Sequence, residues 1–246
     1  MKNLSEPNLF ILTSALSLIA LGGLKYLFSI NSINALIIIH VTLGGFAFLV
    51  GGLTLFSKKG SPLHKFTGMI FYISMVVSVV ITLAVSLLPN HVSPSLFQIG
   101  VLSLYFLIGG KRSITFRNAD HRLLIDQLLA CTIISVSLVV MSFSIISTGG
   151  LHPLRTVFGI IGIGFGVFDL LLFRQPNNIE KKWLILHLSK MLGGYTAAVT
   201  AFFVAQNILS GYFNWFMPTV FGLGYIIFWM FKLNIFMPTL AMKVTK

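Results

Sequence analysis

Acidic residues are scarce in this sequence: only five Asp and Glu residues occur among 246, and all charged residues together make up 9%. A water-soluble domain of this length keeps far more charge on its surface, so the composition excludes a soluble enzyme or a soluble binding domain. The scarcity of carboxylates also argues against a pump that moves protons through a relay of acidic side chains.

Cysteine is nearly absent as well. Cys131 is the only one, which excludes a disulfide framework and a cysteine-based metal motif. The sequence also lacks a phosphate-binding glycine-rich loop, a Gly-x-Ser-x-Gly nucleophile, a His-Glu-x-x-His zinc motif and a Cys-x-x-Cys-His haem attachment. No familiar motif therefore indicates a reaction, and whether the protein is an enzyme stays open.

Long apolar runs fill the chain instead. Hydrophobic residues make up 56% of it, and the runs are about 20 residues long, the length that a helix needs to cross roughly 30 Å of hydrocarbon. They predict eight transmembrane helices, at about 9–29, 33–56, 66–88, 95–110, 123–147, 154–173, 183–208 and 214–233. The runs do not alternate as the strands of a membrane β-barrel would. The expected fold is all-α, a single polytopic membrane domain over residues 1–246.

The basic residues predict how these helices are oriented. The net charge is +12, and fourteen of the seventeen Lys and Arg residues lie near the chain ends or in alternate loops, whereas the other loops hold only Lys25 and Arg155. The positive-inside rule therefore predicts that both termini and the basic loops are cytoplasmic. The positive charge then orients the helices in the membrane and contacts anionic lipid headgroups, and it does not indicate nucleic acid binding. The expected location is the cell membrane, specifically a bacterial inner membrane.

Few polar side chains fall inside the predicted helices, where a charged group costs ~2.5–3.5 kcal/mol even on a mild insertion scale. They are His40, Asp126, Asp169, His187 and Lys190, with His64 and His121 at the cytoplasmic ends of their helices. Such groups should face the bundle interior and have partners there. Asp126 has a simple candidate partner in Arg122, four residues earlier along the chain.

Asp169 and His187 are expected at the same depth in the membrane. At ~1.5 Å per helical residue, each lies about 6 Å from the cytoplasmic boundary, and Lys190 lies about one turn deeper. The sixth and seventh predicted helices are joined by a short loop and should be neighbours. We therefore expect Asp169 to compensate His187, Lys190 or both.

Three hypotheses for function follow from these groups. In the first, His187, His64 and His121 hold haem b or a divalent metal near the cytoplasmic face for redox or cofactor handling, and Asp169 orients His187. In the second, Asp169, His187 and Lys190 line the path of a small-solute or ion transporter. In the third, the protein is a non-catalytic assembly or scaffold subunit whose polar groups only hold helices together.

Glycine is patterned in the sixth predicted helix, where Gly159, Gly162 and Gly166 share one face and Asp169 lies at its edge. Close packing of two helices explains such a face. The alternative is a gap for a flat cofactor such as haem. His40 is expected about 10 Å below the outer boundary, at a different depth from the cytoplasmic histidines.

Two stretches resemble a family of predicted bacterial multi-pass membrane proteins of unknown function. They are HVTLGGFAFLVGGLTLFSKKGSPLHKFTGMIFY (40–72) and RNADHRLLIDQLL (117–129). The positions that match the family pattern are His40, His64, Gly68, Tyr72, His121 and Arg122. The family's Trp-Met pair after His-Arg is replaced here by Leu123 and Leu124. The resemblance covers about residues 40–130 and implies a polytopic membrane protein without implying a reaction.

Overall fold

The computed structural model describes residues 32–118, 121–174 and 176–232. Over these residues the chain forms seven α-helices and one short 3-10 helix, and it has no strand. The helices are α1 (Ser32–Phe56), α2 (Pro62–Val85), α3 (Pro94–Ser113), α4 (Leu124–Thr148), α5 (Pro153–Phe173), α6 (Pro176–Gln206) and α7 (Phe213–Lys232), with the 3-10 helix at Ile114–Arg117. The all-helical prediction is confirmed, whereas the predicted span at 9–29 lies outside the described residues.

Five of the described helices are long and apolar enough to cross a membrane. They are α1, α2, α4, α5 and the part of α6 from Lys182 to Gln206. The other two, α3 and α7, match the predicted spans at 95–110 and 214–233 but are less suited to lipid. Helix α3 contains Gln98 and ends in a basic turn, and the apolar part of α7 covers only Phe213–Trp229. Several apolar helices in one chain are the pattern of a multi-pass membrane protein.

Capping residues fix where the helices begin and end. The hydroxyls of Ser61 and Ser93 accept hydrogen bonds from the backbone N–H groups of His64 and Leu96, and a proline follows each serine at the first helical position. Helix α2 therefore begins before the predicted residue 66, and His64 lies within its first turn. Gly149 ends α4 in the left-handed conformation, with φ at 70°.

Helix α3 occupies the centre of the described bundle. It packs against α2, α4, α5 and α6, and its buried side chains include Leu102, Tyr105 and Leu107. Gln98 on the same helix is 0% exposed. A helix that is enclosed by other helices does not have to face lipid and can carry polar side chains, and α3 is accordingly less hydrophobic than α2, α4 and α5.

Large apolar side chains cover the outside of the bundle. Leu49, Val139 and Phe221, for example, are 65%, 66% and 70% exposed. Apolar exposure spread over several helices suits hydrocarbon and would be unusually extensive on a soluble monomer.

Sequential helices mostly pack as neighbours, as predicted, but α5 and α6 are an exception. Only two residues separate Phe173 at the end of α5 from Pro176 at the start of α6, yet the two helices touch over a short stretch. Helix α6 packs mainly on α3 and α7, and α5 packs mainly on α4. The sixth and seventh predicted spans are therefore neighbours as expected, but only over a short stretch.

Candidate functional site

A buried ion pair joins α5 to α6. The Lys190 ammonium donates to the Asp169 carboxylate oxygen Oδ2, and the two residues are 3% and 1% exposed. The prediction that a carboxylate compensates Lys190 is confirmed. A charge in so apolar a place is tolerated only when it is paired, which explains why a helix that can cross a membrane carries a lysine.

Tyr105 on the central helix α3 completes this site. Its hydroxyl donates to Asp169 Oδ2 at 2.6 Å and also lies 3.1 Å from the Phe165 carbonyl oxygen. Lys190 Nζ sits 4.7 Å from the centre of the Tyr105 ring, in cation–π range. The nearby Gly109 leaves room for the lysine, because a Cβ there would come within 3.0 Å of Nζ. Tyr105 was not among the predicted site residues, although a tyrosine inside a predicted membrane span is a polar group that needs a partner.

One atom of the site stays without a partner. Asp169 Oδ1 is buried and accepts no hydrogen bond, so the carboxylate is bound on one side only. His187 does not fill this position, since its Nδ1 lies 2.8 Å from the carbonyl oxygen of Gly110 on α3. Of the two predicted partners, Asp169 binds Lys190 and not His187. The prediction that Asp169 orients His187 is therefore not borne out.

A second polar network lies at the end of α3 and the start of α4. Arg112 binds Asp126 in a two-point contact, with Nε donating to Oδ1 at 2.9 Å and Nη2 to Oδ2 at 2.8 Å. His121 Nε2 also lies 2.8 Å from Asp126 Oδ2. The predicted pair between Arg122 and Asp126 is wrong, because Arg112 takes that place and contacts Arg122 only at its backbone carbonyl, at 3.1 Å.

The imidazole of His121 is fully engaged in this network. Its Nδ1 lies 2.8 Å from the Thr115 hydroxyl, its Nε2 faces Asp126, and its ring packs edge-on against Phe116 with centroids 4.6 Å apart. Both ring nitrogens therefore have partners already. His121 therefore has no free ring nitrogen to offer to a metal ion bound by His64 and His187.

His64 and His187 share a different arrangement. His64 Nδ1 lies 3.2 Å from the Thr54 carbonyl and 3.3 Å from the Ser57 hydroxyl, while His187 Nδ1 faces the Gly110 carbonyl. A carbonyl acceptor at Nδ1 places the ring proton there and leaves Nε2 as the atom with a free lone pair. Gly110 is followed by Lys111, whose Nζ lies 3.9 Å from Met69 Sδ on α2, so the contact of His187 borders the helix that carries His64.

His40 lies apart from this pair. Its Nδ1 is surrounded by the Ser78 hydroxyl at 2.8 Å, the Thr82 hydroxyl at 2.9 Å and the Ser78 carbonyl at 3.0 Å. It is fourteen residues from Thr54 along α1, a separation of about 21 Å. The predicted separation of His40 from the cytoplasmic histidines agrees with this distance.

The glycine face of α5 is filled by α4. A Cβ on Gly159 would meet Met141 Sδ at 2.4 Å, one on Gly162 would meet Ser137 Oγ at 2.5 Å, and Gly166 also lies against α4. These distances require the glycines to lack side chains. Close helix packing is therefore the correct interpretation, and the face leaves no gap for haem.

Among the described residues, no group of three or more His, Cys, Asp or Glu side chains is arranged to hold a metal ion. His64 and His187 thus offer at most two protein ligands, and a bound ion would need solvent or other atoms to complete its coordination. Two neutral imidazoles are ligands that suit zinc, copper, iron or nickel.

Comparison with known proteins gives no match. No family model fits the sequence, and no curated protein or solved structure is significantly similar to it. The resemblance over residues 40–130 therefore stays a prediction.

Proposed function

We propose that the protein is an integral membrane protein of eight helices, with both termini and its basic loops in the cytoplasm of a bacterial cell. Contacts of the basic side chains support a common basic end of the bundle. Arg117, at the end of the 3-10 helix, lies 5.6 Å from the ring of Trp183 in α6, and Lys111 Nζ, near the end of α3, lies 3.9 Å from Met69 Sδ on α2. Anionic lipid headgroups are the natural partners of such an end.

Cysteine labelling tests this topology in a variant in which Cys131 is replaced by serine. Lys58 and His91 are both exposed residues between helices, so cysteines there disturb neither a cap nor the core. We expect a membrane-impermeant maleimide to label His91→Cys in intact cells and Lys58→Cys only after the membrane is opened. The reverse pattern, or equal labelling of both, would overturn the assignment.

The proposed activity is the binding of a metal cofactor at the cytoplasmic end by His64 and His187. The observation that carries it is that His64 on α2 and His187 on α6 each have a backbone carbonyl at Nδ1. This is the usual arrangement of a metal-binding histidine, whose second nitrogen is oriented by a hydrogen bond. A metal ion fits better than haem, because the glycine face that suggested a flat cofactor is packed.

Metal content of the purified protein tests this proposal. We expect the wild type, extracted gently in detergent, to retain a zinc, copper, iron or nickel ion, and His64→Ala and His187→Ala each to lose it while still folding. His40→Ala is the matched control, since His40 also has a backbone carbonyl at Nδ1 but lies far along α1. A wild type that neither retains nor takes up any of these metals would contradict the proposal. A Soret band in its absorbance spectrum would show that the cofactor is haem and not a metal ion alone.

Lys111 provides a sharper test of the sign of the bound charge. It follows Gly110, whose carbonyl oxygen lies 2.8 Å from His187 Nδ1, so its positive charge should oppose a cation bound there. Lys111→Gln is therefore expected to tighten metal binding relative to the wild type. Weaker binding of the added metal in this variant would contradict a direct role of His187 as a cation ligand.

A scaffold subunit is the second candidate function. It is favoured by the way in which Lys190, Asp126 and His121 are already engaged by partners within the chain. Polar groups that serve only as contacts between helices would affect stability and leave metal content unchanged. The transporter hypothesis has less support, because two cavities beside α5 and α6 are lined mostly by apolar residues and by no acidic residue.

A further inference from the structure

The limited contact between α5 and α6 leaves an open groove on the side of the bundle, with α7 as its third wall. The groove has a volume of about 380 Å³ and is lined by apolar side chains such as Phe168, Leu172, Leu186 and Ile227. Phe168 and Ile227 are about half exposed, at 50% and 49%. The groove therefore opens sideways, toward the region that hydrocarbon occupies around a membrane protein.

This groove continues into a narrower cavity between α3, α5, α6 and α7. The second cavity is about 50 Å³ in volume and shares four lining residues with the first, namely Ile161, Phe165, Leu223 and Ile226. Together the linings extend along α6 from Lys182 to Thr200, which is about 27 Å of helix. One lipid leaflet needs only about 15 Å, half of the hydrocarbon thickness. The groove is long enough for a single acyl chain.

Lys182 gives the groove one charged end. It lines the groove at the end where α6 approaches the basic loops, and no ion pair among the described residues includes it. Arg174 is exposed close by in the sequence, at the end of α5, and the neighbouring Trp183 is an aromatic residue of the type found at membrane interfaces. A long apolar groove with an unpaired ammonium at its mouth complements an anionic amphiphile.

We propose that this groove binds one anionic phospholipid, with an acyl chain between α5, α6 and α7 and the phosphate at Lys182. The chain's own apolar run at 9–29 is a poorer occupant. It contains Lys25 and no acidic residue, so it would bring a second positive charge to the groove and no counterion for Lys182. A neutral lipid would leave the ammonium of Lys182 without a counterion.

The headgroup contact is tested by native mass spectrometry of the full chain in detergent with added dioleoyl phosphatidylglycerol or dioleoyl phosphatidylcholine. We expect one tightly held phosphatidylglycerol and weaker binding of phosphatidylcholine. Lys182→Gln should reduce phosphatidylglycerol affinity about fivefold, the equivalent of ~1 kcal/mol for one lysine at an anionic surface. The matched control is Lys58→Gln, which removes an exposed lysine of another basic loop. Equal effects of the two variants would overturn the headgroup assignment.

The acyl chain is tested by filling the groove. Gly164 lines it, and a Cβ at that position meets no atom within 4 Å, so the side chain of Gly164→Leu should extend into the groove. We expect this variant to lose affinity for both lipids while Gly45→Leu, an equally open position on α1, binds as the wild type does. Unchanged binding in Gly164→Leu would refute the groove as the site. A wild type without retained lipid, or a dimer that excludes it, would also refute the proposal.

Discussion

Removing either member of the Asp169–Lys190 pair should destabilise the protein about as much as removing both. In Asp169→Asn the amide oxygen still accepts from Tyr105, but Lys190 keeps its charge at 3% exposure with only the Tyr105 ring, 4.7 Å away, as compensation. In Lys190→Met the carboxylate remains with one donor and an unpartnered Oδ1. Breaking a buried pair in this way costs about 3–5 kcal/mol.

The double variant Asp169→Asn, Lys190→Met contains no buried charge, so the two losses should not add. With each single variant at about 3 kcal/mol, we expect the double to lose about 3 kcal/mol as well, a coupling of ~3 kcal/mol. For a chain of this size, the single variants should unfold at temperatures roughly 6–12 °C lower. Thermal unfolding of the wild type, the two single variants and the double variant in the same detergent measures this double-mutant cycle.

A parallel cycle on exposed residues is the control. Glu180 and Lys58 are both exposed, so Glu180→Gln and Lys58→Met should have small and additive effects. Losses at Asp169 and Lys190 that also add, within the error shown by this control, would refute the reasoning. The pair would then contribute nothing beyond its separate contacts.

Two further predictions concern packing and the second network. Asp126→Asn should lower the free energy of unfolding by about 2 kcal/mol, because Arg112 loses a charged two-point acceptor; an unchanged unfolding temperature in detergent would contradict this. Gly51→Ala should destabilise by about 1–3 kcal/mol, since its Cβ would lie 2.5 Å from the Tyr195 ring. Gly45→Ala on the same helix meets no atom and should stabilise by up to about 1 kcal/mol, and equal effects of the two alanines would show that the ring moves aside freely.

The helices and the central ion pair could be predicted from the sequence for simple physical reasons. Apolar runs of membrane length have one satisfactory conformation in lipid, because every backbone polar group must be bonded within the helix. Lys190 needed a carboxylate, and Asp126 and Asp169 were the only acids inside the predicted spans. Depth along the helices then favoured Asp169, and the long lysine side chain spans the remaining turn.

The lateral arrangement of the helices could not be predicted in the same way. Helical periodicity indicates which residues share a face, but it does not say which helix that face meets. The packing of α6 on α3 brings Tyr105 to Lys190 and Gly110 to His187, although these pairs are more than 75 positions apart along the chain. The same limit explains the error at Asp126, where sequence proximity favoured Arg122 over Arg112.

The helix caps and the glycine face could be predicted only in part. Ser61 followed by Pro62 is a recognisable helix start, so the true beginning of α2 was readable from local chemistry. The face of Gly159, Gly162 and Gly166 was also readable, but its meaning depended on whether a helix or a cofactor met it. Only the positions of Met141 and Ser137 on α4 decided between the two.

The position of Tyr105 on α3 bears on how the chain enters the membrane during synthesis. A lysine at the centre of a helix opposes insertion by ~2.5–3.5 kcal/mol on the translocon scale, and an aspartate does so by a similar amount. Helix α3 is synthesised before α5, so the Tyr105 hydroxyl exists before Asp169 needs a donor. Helix α6 follows α5 after a link of two residues, so the carboxylate is also made before the lysine that it compensates. Along the chain, each costly group thus follows a residue that can stabilise it in the membrane.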